Sequence, residues 1–460
     1  MKIPFSSITV AWSSSIDTID IILLLCLASC IEGELQIHEK GEFMYSNNAA
    51  MFVSSMMIGE IVGILTCVLY HILISWDKNK VILGGLCISI IFKFLAALVF
   101  SSRAFLVICF CMIGFGNGCS RFIINHSSIN ILATEQIALN DVIASSCSVV
   151  GELFFLFLGY LFLTSYGWRA MVILACTPTL SLLILILGII YFPTDLSIYI
   201  YDEGGWSEVG NTCIPVHAAD VNDLLAHKVW PNITWPLSMI WLLTHFARCI
   251  GLMILVYFYS MGVVSCDYRF DEMFFSSLTQ IFGAILTYHV LFNMKVARAF
   301  IQATLYFLGG IFAIAPLLLL NRVSINVGCI LFILGFRSCL AGSHALLGLT
   351  AIGMYPTDSR FTAITYYAIV DRISHMLATF WMVVCAEDQA MITLSMLGVL
   401  CFTSSYFSSK LPLEASSDYQ LRPSIVESQN FKEGEEVTLL TSTDKSSSSS
   451  SYVGVDGHQR

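Results

Sequence analysis

Charge is what this sequence most conspicuously lacks. Only 12% of its 460 residues are charged while 57% are hydrophobic, and the mean hydropathy is +0.79. A water-soluble chain of this length needs far more polar surface to cover its core, so a large soluble enzyme is excluded. A basic stripe is missing too: the acids behind the net charge of -10 gather in the first loop, the central stretch and the tail. Nucleic acid is therefore not an expected partner. The 16 cysteines show no ligand spacing of the CxxC…CxxC kind and fall mostly inside apolar runs, which predicts buried free thiols. No HExxH, GxSxG or paired Cys/His spacing occurs, so no enzyme activity, metal centre or cofactor is expected. No cleavable leader is expected at the start, because the first apolar run is itself of spanning length.

Long apolar runs are what the chain has instead. Crossing a hydrocarbon core takes about 20 apolar residues per helix. On either side of a polar stretch, Thr194 to Pro231, lies a block long enough for about six such helices. That stretch holds Asp202, Glu203, Gly204, Gly205, Glu208, Asp220 and Asp223 and no run that could cross a bilayer. The expectation is an all-α integral membrane protein with about 12 spans in two six-helix bundles, a duplicated plan of the kind transporters use. Its parts are a first bundle (1–193), a central loop (194–231), a second bundle (232–410) and a tail (411–460). The breaks between spans are short, as at Ser165–Arg169; a longer polar connection is expected from Asn125 to Asn140.

Short-loop Lys and Arg set orientation. Lys2, Lys78, Lys80, Lys228, Lys295, Arg298, Arg360 and Lys410 share the side of both termini, against Lys40, Arg103, Arg169, Arg269 and Arg322 on the other. This places the termini and the central loop in the cytoplasm and leaves the sequons at Asn125 and Asn232 without sugar. From Leu411 onward periodicity vanishes and serine dominates, ending in Ser446–Ser451, so a disordered cytoplasmic tail is expected. Within it Glu435 stands four residues before Leu439 and Leu440. This acidic dileucine pattern would dock on a clathrin adaptor and send the protein to a vesicle membrane, synaptic or endolysosomal, by retrieval from the plasma membrane.

Ionisable groups inside spans are costly and by default face a cavity or a partner. Asp17 and Asp20, three apart, share one face of the first span. They form either a cation- or proton-binding face or a hydrated pair near the cytoplasmic end. Glu60 sits among Gly59 and Gly63, and Glu152 follows Gly151, both suiting a carboxylate beside a closely packed helix. Lys93, expected to snorkel or pair, joins Arg121, Arg248, Arg337 and Arg372 as intramembrane cations. Asp371 and Arg372 are neighbours pointing about 100° apart on a helix; they are expected not to pair simply with each other, and at least one to bond another helix. His245, His289, His344 and His375 read as hydrogen-bonded packing. Gly114, Gly116 and Gly118 form a small-residue stripe for helix approach.

Taken with Gly167-Trp-Arg169 and Phe192-Pro193, the stripe Gly114-Phe-Gly-Asn-Gly118 resembles the major facilitator superfamily. Further motifs resemble its branch of synaptic vesicle 2-related proteins and organic cation transporters. Tyr355-Pro-Thr-Asp-Ser-Arg360 is similar to E-x-Y-P-T-x-x-R, Arg337 with Gly342 to R-x-x-x-x-G, Leu411-Pro-Leu-Glu414 to L-P-x-E-T, and Asp17-x-x-Asp20 to a first-span D-x-x-E pair. The resemblance implies a secondary transporter of small organic solutes, organic ions in class, possessing a central site and alternating access. Asp17, Asp20, Glu60, Arg337, Asp371 and Arg372 would bind substrate or coupling ion; Gly114, Gly116, Gly118, Arg169 and Arg360 would serve packing and gating. The departures are specific. Ile74 stands where the loop after the second span should carry an acid, with only Lys78 and Lys80 basic; Asn293 to Arg298 is similarly reduced. Gly353 replaces the acid of E-x-Y-P-T, and Pro193-Thr-Asp-Leu-Ser197 stands for P-E-S-P-R. Because the family uses these charges as cytoplasmic latches, a second reading stands beside transport: a transport-inactive vesicle membrane protein that binds a partner or ligand.

Overall fold

The computed structural model describes residues 5–34, 47–73, 78–98, 102–131, 134–191, 230–258, 268–294, 296–319, 330–355, 357–385 and 390–411. All of these belong to the compact unit Met1–Ser417. The central loop, the tail with its dileucine, and Phe192-Pro193 lie outside the described residues. No β-strand occurs among the described residues.

Helices follow from apolar length, since a backbone in lipid must satisfy every N–H and C=O within its own segment. The first half is span 1 (Phe5–Glu34), span 2 (Asn47–Leu73), span 3 (Lys78–Leu98), span 4 (Arg103–Ile131), span 5 (Thr134–Leu158, extended by a π-helical turn Gly159–Leu163) and span 6 (Thr164–Leu174, then Cys176–Tyr191). The second half is span 7 (π turn Trp230–Thr234, then Trp235–Phe258), span 8 (Phe270–Asn293) and span 9 (Arg298–Leu319). Span 10 (π turn Phe332–Phe336, then Arg337–Met354), span 11 (Thr357–Cys385) and span 12 (Ala390–Lys410) complete it. Eleven stretches among the described residues are long and apolar enough to cross a membrane. Span 11 adds a helix of 29 residues that carries Asp371 and Arg372 midway. The chain is a multi-pass membrane protein.

The polar connection expected from Asn125 to Asn140 does separate the membrane-crossing stretches Arg103–Asn125 and Val142–Leu163, although helix runs on to Ile131 and resumes at Thr134. A polar sequence marks where hydrocarbon ends, but a helix already nucleated continues at little cost past that boundary. The break at Ser165–Arg169 turns on Gly167, whose φ of 75° and ψ of 177° are open essentially to glycine alone.

The packing repeats with a shift of six spans. Span 1 lies on span 5, span 2 on span 4 and span 3 on spans 4 and 6; correspondingly span 7 lies on span 11, span 8 on span 10 and span 9 on spans 10 and 12. The halves meet where span 2 packs on span 11 and span 5 on span 8, two contacts that the same shift exchanges. Apolar side chains ring the outside, as at Phe282 (67% exposed), Leu98 (61%) and Val384 (81%), while Glu60 (0%) and Lys93 (1%) are enclosed. That inversion of a soluble protein is what a lipid solvent demands.

Lipid supplies no hydrophobic force between helices, so close backbone approach must hold them together. Gly59 shows how close: a Cβ there would lie 1.9 Å from the Cys111 carbonyl oxygen. Gly114 and Gly118 meet span 2 in the same manner, at 2.0 Å from Met56 O and 2.4 Å from Glu60 O, whereas Gly116 turns to span 3, 2.4 Å from Gly85 O. The three glycines thus serve two neighbours. Among the described residues Cys30 departs from the free-thiol expectation, being disulfide-bonded. Spacing along the chain cannot reveal which thiols meet after folding.

Candidate functional site

A cavity lies between the halves, with about 60 Å³ for the centres of water-sized molecules. The first half contributes Asp17, Arg121, Ser148 and Glu152 to its wall; the second contributes His245, Arg248, Gln280, Arg337, His344, Asp371 and His375. Each arrives by helical periodicity, Ser148 and Glu152 sitting one turn apart on span 5, His245 and Arg248 on span 7, Asp371 and His375 on span 11.

Three buried ionic groupings organise these residues. Glu152 takes an ion pair from Arg337, a hydrogen bond from Ser277 and another from Gln280 at 2.9 Å, and Arg337 also donates to Ser277 at 3.2 Å. This grouping joins span 5 to spans 8 and 10, hence one half to the other. Arg372 is the hub of the second, pairing with Glu60, with Asp371 at 2.5 Å and with Asp17 at 3.4 Å. Asp17 also pairs with Arg121. Asp371 Oδ1 lies 2.7 Å from His245 Nδ1 and 3.1 Å from His375 Nδ1. The expectation that the neighbours Asp371 and Arg372 would not pair is overturned: the guanidinium stem is long enough to fold back across the 100° offset. Both nevertheless reach other helices as well. In the third grouping Lys93 pairs with Asp20 at 2.7 Å, Asn117 donates to Asp20 at 2.7 Å, and Lys93 donates to Thr179 at 3.0 Å.

The two aspartates of the first span therefore part company. Asp17 lines the cavity, whereas Asp20 is turned to Lys93 within the first half and is not among the lining residues. Three residues apart means about 60° of rotation, enough to aim one carboxylate at the interface and the other at span 3. Both are buried, at 7% and 2% exposure, which removes the reading of a hydrated pair at the span's end.

Residues from both halves that bind one another across a central cavity, on twelve spans that repeat after the sixth, match one known architecture. The xylose transporter XylE from E. coli, partially occluded and inward open, superposes with a TM-score of 0.64 at 14% identity, covering 90% of this chain and 100% of that one. The proton:xylose symporter XylE bound to 6-bromo-6-deoxy-D-glucose gives 0.66 at 13% identity over 90% and 98%. The chain has the major facilitator fold. No protein-family profile and no curated protein sequence matches it, and at these identities the structural likeness establishes the fold alone.

In facilitator terms, Glu60, Arg337, Asp371 and Arg372 come together at or beside the interface between halves. Arg169 lies away from it at the Gly167 turn, its guanidinium 5.4 Å from the Trp168 ring; the Arg360 side chain is outside the described residues. Arg121, His245, Arg248 and Gln280 line the cavity without having been singled out as binding residues. Arg121 and Arg248 carried the same signal as Arg337, a cation inside an apolar helix. Nothing in the local sequence separates His245, stacked 5.7 Å from Trp241, from an ordinary packed histidine.

Proposed function

We propose that the chain is a secondary transporter of small organic ions, close to the synaptic vesicle 2-related and organic cation transporter branch. It works by rocking its two halves about the charged cavity. The observation that carries this reading is that the cavity wall belongs to both halves, and that ion pairs at and beside it, Glu152 with Arg337 and Arg372 with Asp17 and Glu60, cross the interface. A charged solute can exchange its own carboxylate or ammonium for one partner in such a pair. Its binding then differs between arrangements of the halves, as any solute-driven change of state requires. Asp17 is the coupling carboxylate in this scheme, because, unlike Asp20, it faces the cavity and holds cations from both halves, Arg121 and Arg372. The proton:xylose symporter among the structural matches makes a proton gradient the first driving force to test.

The test is uptake into liposomes reconstituted with the protein, screened with organic cations and anions, with and without a pH gradient. Asp17→Asn should cut accumulation at least about tenfold while leaving the protein monodisperse, since one lost charge-assisted contact is worth about 1.5–3 kcal/mol. Unchanged uptake would remove Asp17 from the mechanism. Failure of every solute to move would favour a partner-binding protein without transport, the reading supported by the reduced charge of the Tyr70–Lys80 loop.

A further inference from the structure

We propose that the second half carries a binding site for a divalent transition cation of the zinc class, formed by His245, Asp371 and His375 at the cavity wall. It goes beyond the transport reading and does not require it. One ligand atom from each of the three lies within 4.8 Å of the others, and all three residues are more than nine-tenths buried. Two imidazoles and one carboxylate are the donor set that zinc, cobalt and nickel prefer over magnesium or calcium.

The second observation concerns the state of these groups. Asp371 Oδ1 is buried at the cavity wall without a hydrogen-bond partner, although it lies 2.7 Å from Nδ1 of the His245 ring. Trp241 on its face fixes the plane of that ring. Asp371 divides its oxygens: Oδ2 goes to Arg372 at 2.5 Å, and Oδ1 lies between the two imidazoles at 2.7 and 3.1 Å. If a cation enters between Oδ1 and the Nδ1 atoms with bonds of about 2.1 Å, tetrahedral angles need N···O separations of about 3.4 Å. Small side-chain rotations supply that widening. His375 Nδ1, 2.9 Å from the Asp371 carbonyl oxygen, gives up that contact when it turns to the cation.

Spans 7 and 11 already pack together, so the ligands come from two rigid neighbouring helices rather than from loops. Three protein ligands leave the fourth position facing the cavity, open to water or to a group on a solute. Arg372 on Asp371 and Arg248 on the same wall oppose a dication, while Asp17 and Glu60, both paired with Arg372, can draw it away and release Asp371.

The experiment uses the full-length chain purified in detergent and titrated with Co²⁺, then with Zn²⁺ in competition. The expected result is one Co²⁺ per chain with the visible absorption of a nitrogen-and-oxygen tetrahedral site, displaced by Zn²⁺. His245→Gln and His375→Gln should each weaken binding at least about tenfold. The control His289→Gln, on an exposed residue bonded to Asn293, should change nothing. Absence of saturable Co²⁺ binding in the unaltered chain overturns the proposal, as does binding of undiminished affinity in both glutamine variants. Neither result bears on solute uptake, which the Asp17→Asn assay reads separately.

Discussion

Replacing Arg372 by methionine tests the electrostatic centre of the molecule. Three carboxylates share this guanidinium, but they do not depend on it equally. Without it Asp17 keeps Arg121, and Asp371 keeps His245 and His375. Glu60 is 0% exposed and pairs with no other cation among the described residues; its Oε1 has no hydrogen-bond partner. The loss therefore concentrates on Glu60. Removing one member of a buried ion pair costs about 3–5 kcal/mol, most of it from the charge left behind. Arg372→Met should lose that much. Glu60→Gln should cost only about 1 kcal/mol, because Arg372 retains Asp371 and Asp17. The double variant Arg372→Met with Glu60→Gln should be more stable than Arg372→Met alone, an inversion that additive losses cannot produce. Unfolding in mixed micelles of increasing SDS content, followed by tryptophan fluorescence, reads all four proteins. A double variant as unstable as Arg372→Met, or less stable, would refute the assignment of the stranded charge to Glu60.

Gly114 on span 4 and a control, Gly84 on span 3, test the close packing of spans 2 and 4. Gly114→Ala puts a methyl 2.0 Å from the Met56 carbonyl oxygen and should cost about 1–3 kcal/mol in the same SDS titration. Gly84→Ala, with nothing within 4 Å, should be neutral or stabilising by up to about 1 kcal/mol; equal losses at the two sites would argue against steric contact as the cause. A single reporter cysteine at Gly204 in sealed vesicles should label from the cytoplasmic face, and labelling from the opposite face would reverse the assigned orientation. Replacing Leu439 and Leu440 by alanine should shift a tagged protein from vesicles to the plasma membrane, where an unchanged distribution would show that the peptide is not a sorting signal.

Much of the architecture was legible from one dimension. Apolar run length determines where spans begin and end, because the bilayer imposes one thickness on every helix; span 8, Phe270–Asn293, follows such a run. The charges that matter were visible for the same reason, since an ionisable group inside such a run has no neutral explanation. Pairing was not legible. Asp17 and Asp20 carry equivalent local signals, yet one meets Arg121 and Arg372 at the cavity and the other Lys93 away from it. Partner choice depends on which helices the folded halves bring within about 4 Å, and two of Arg372's partners lie more than 300 residues away in sequence. The histidines mark the boundary most sharply. In sequence they are polar residues scattered through apolar helices, and only the packing of span 7 against span 11 sets His245 and His375 on either side of one carboxylate.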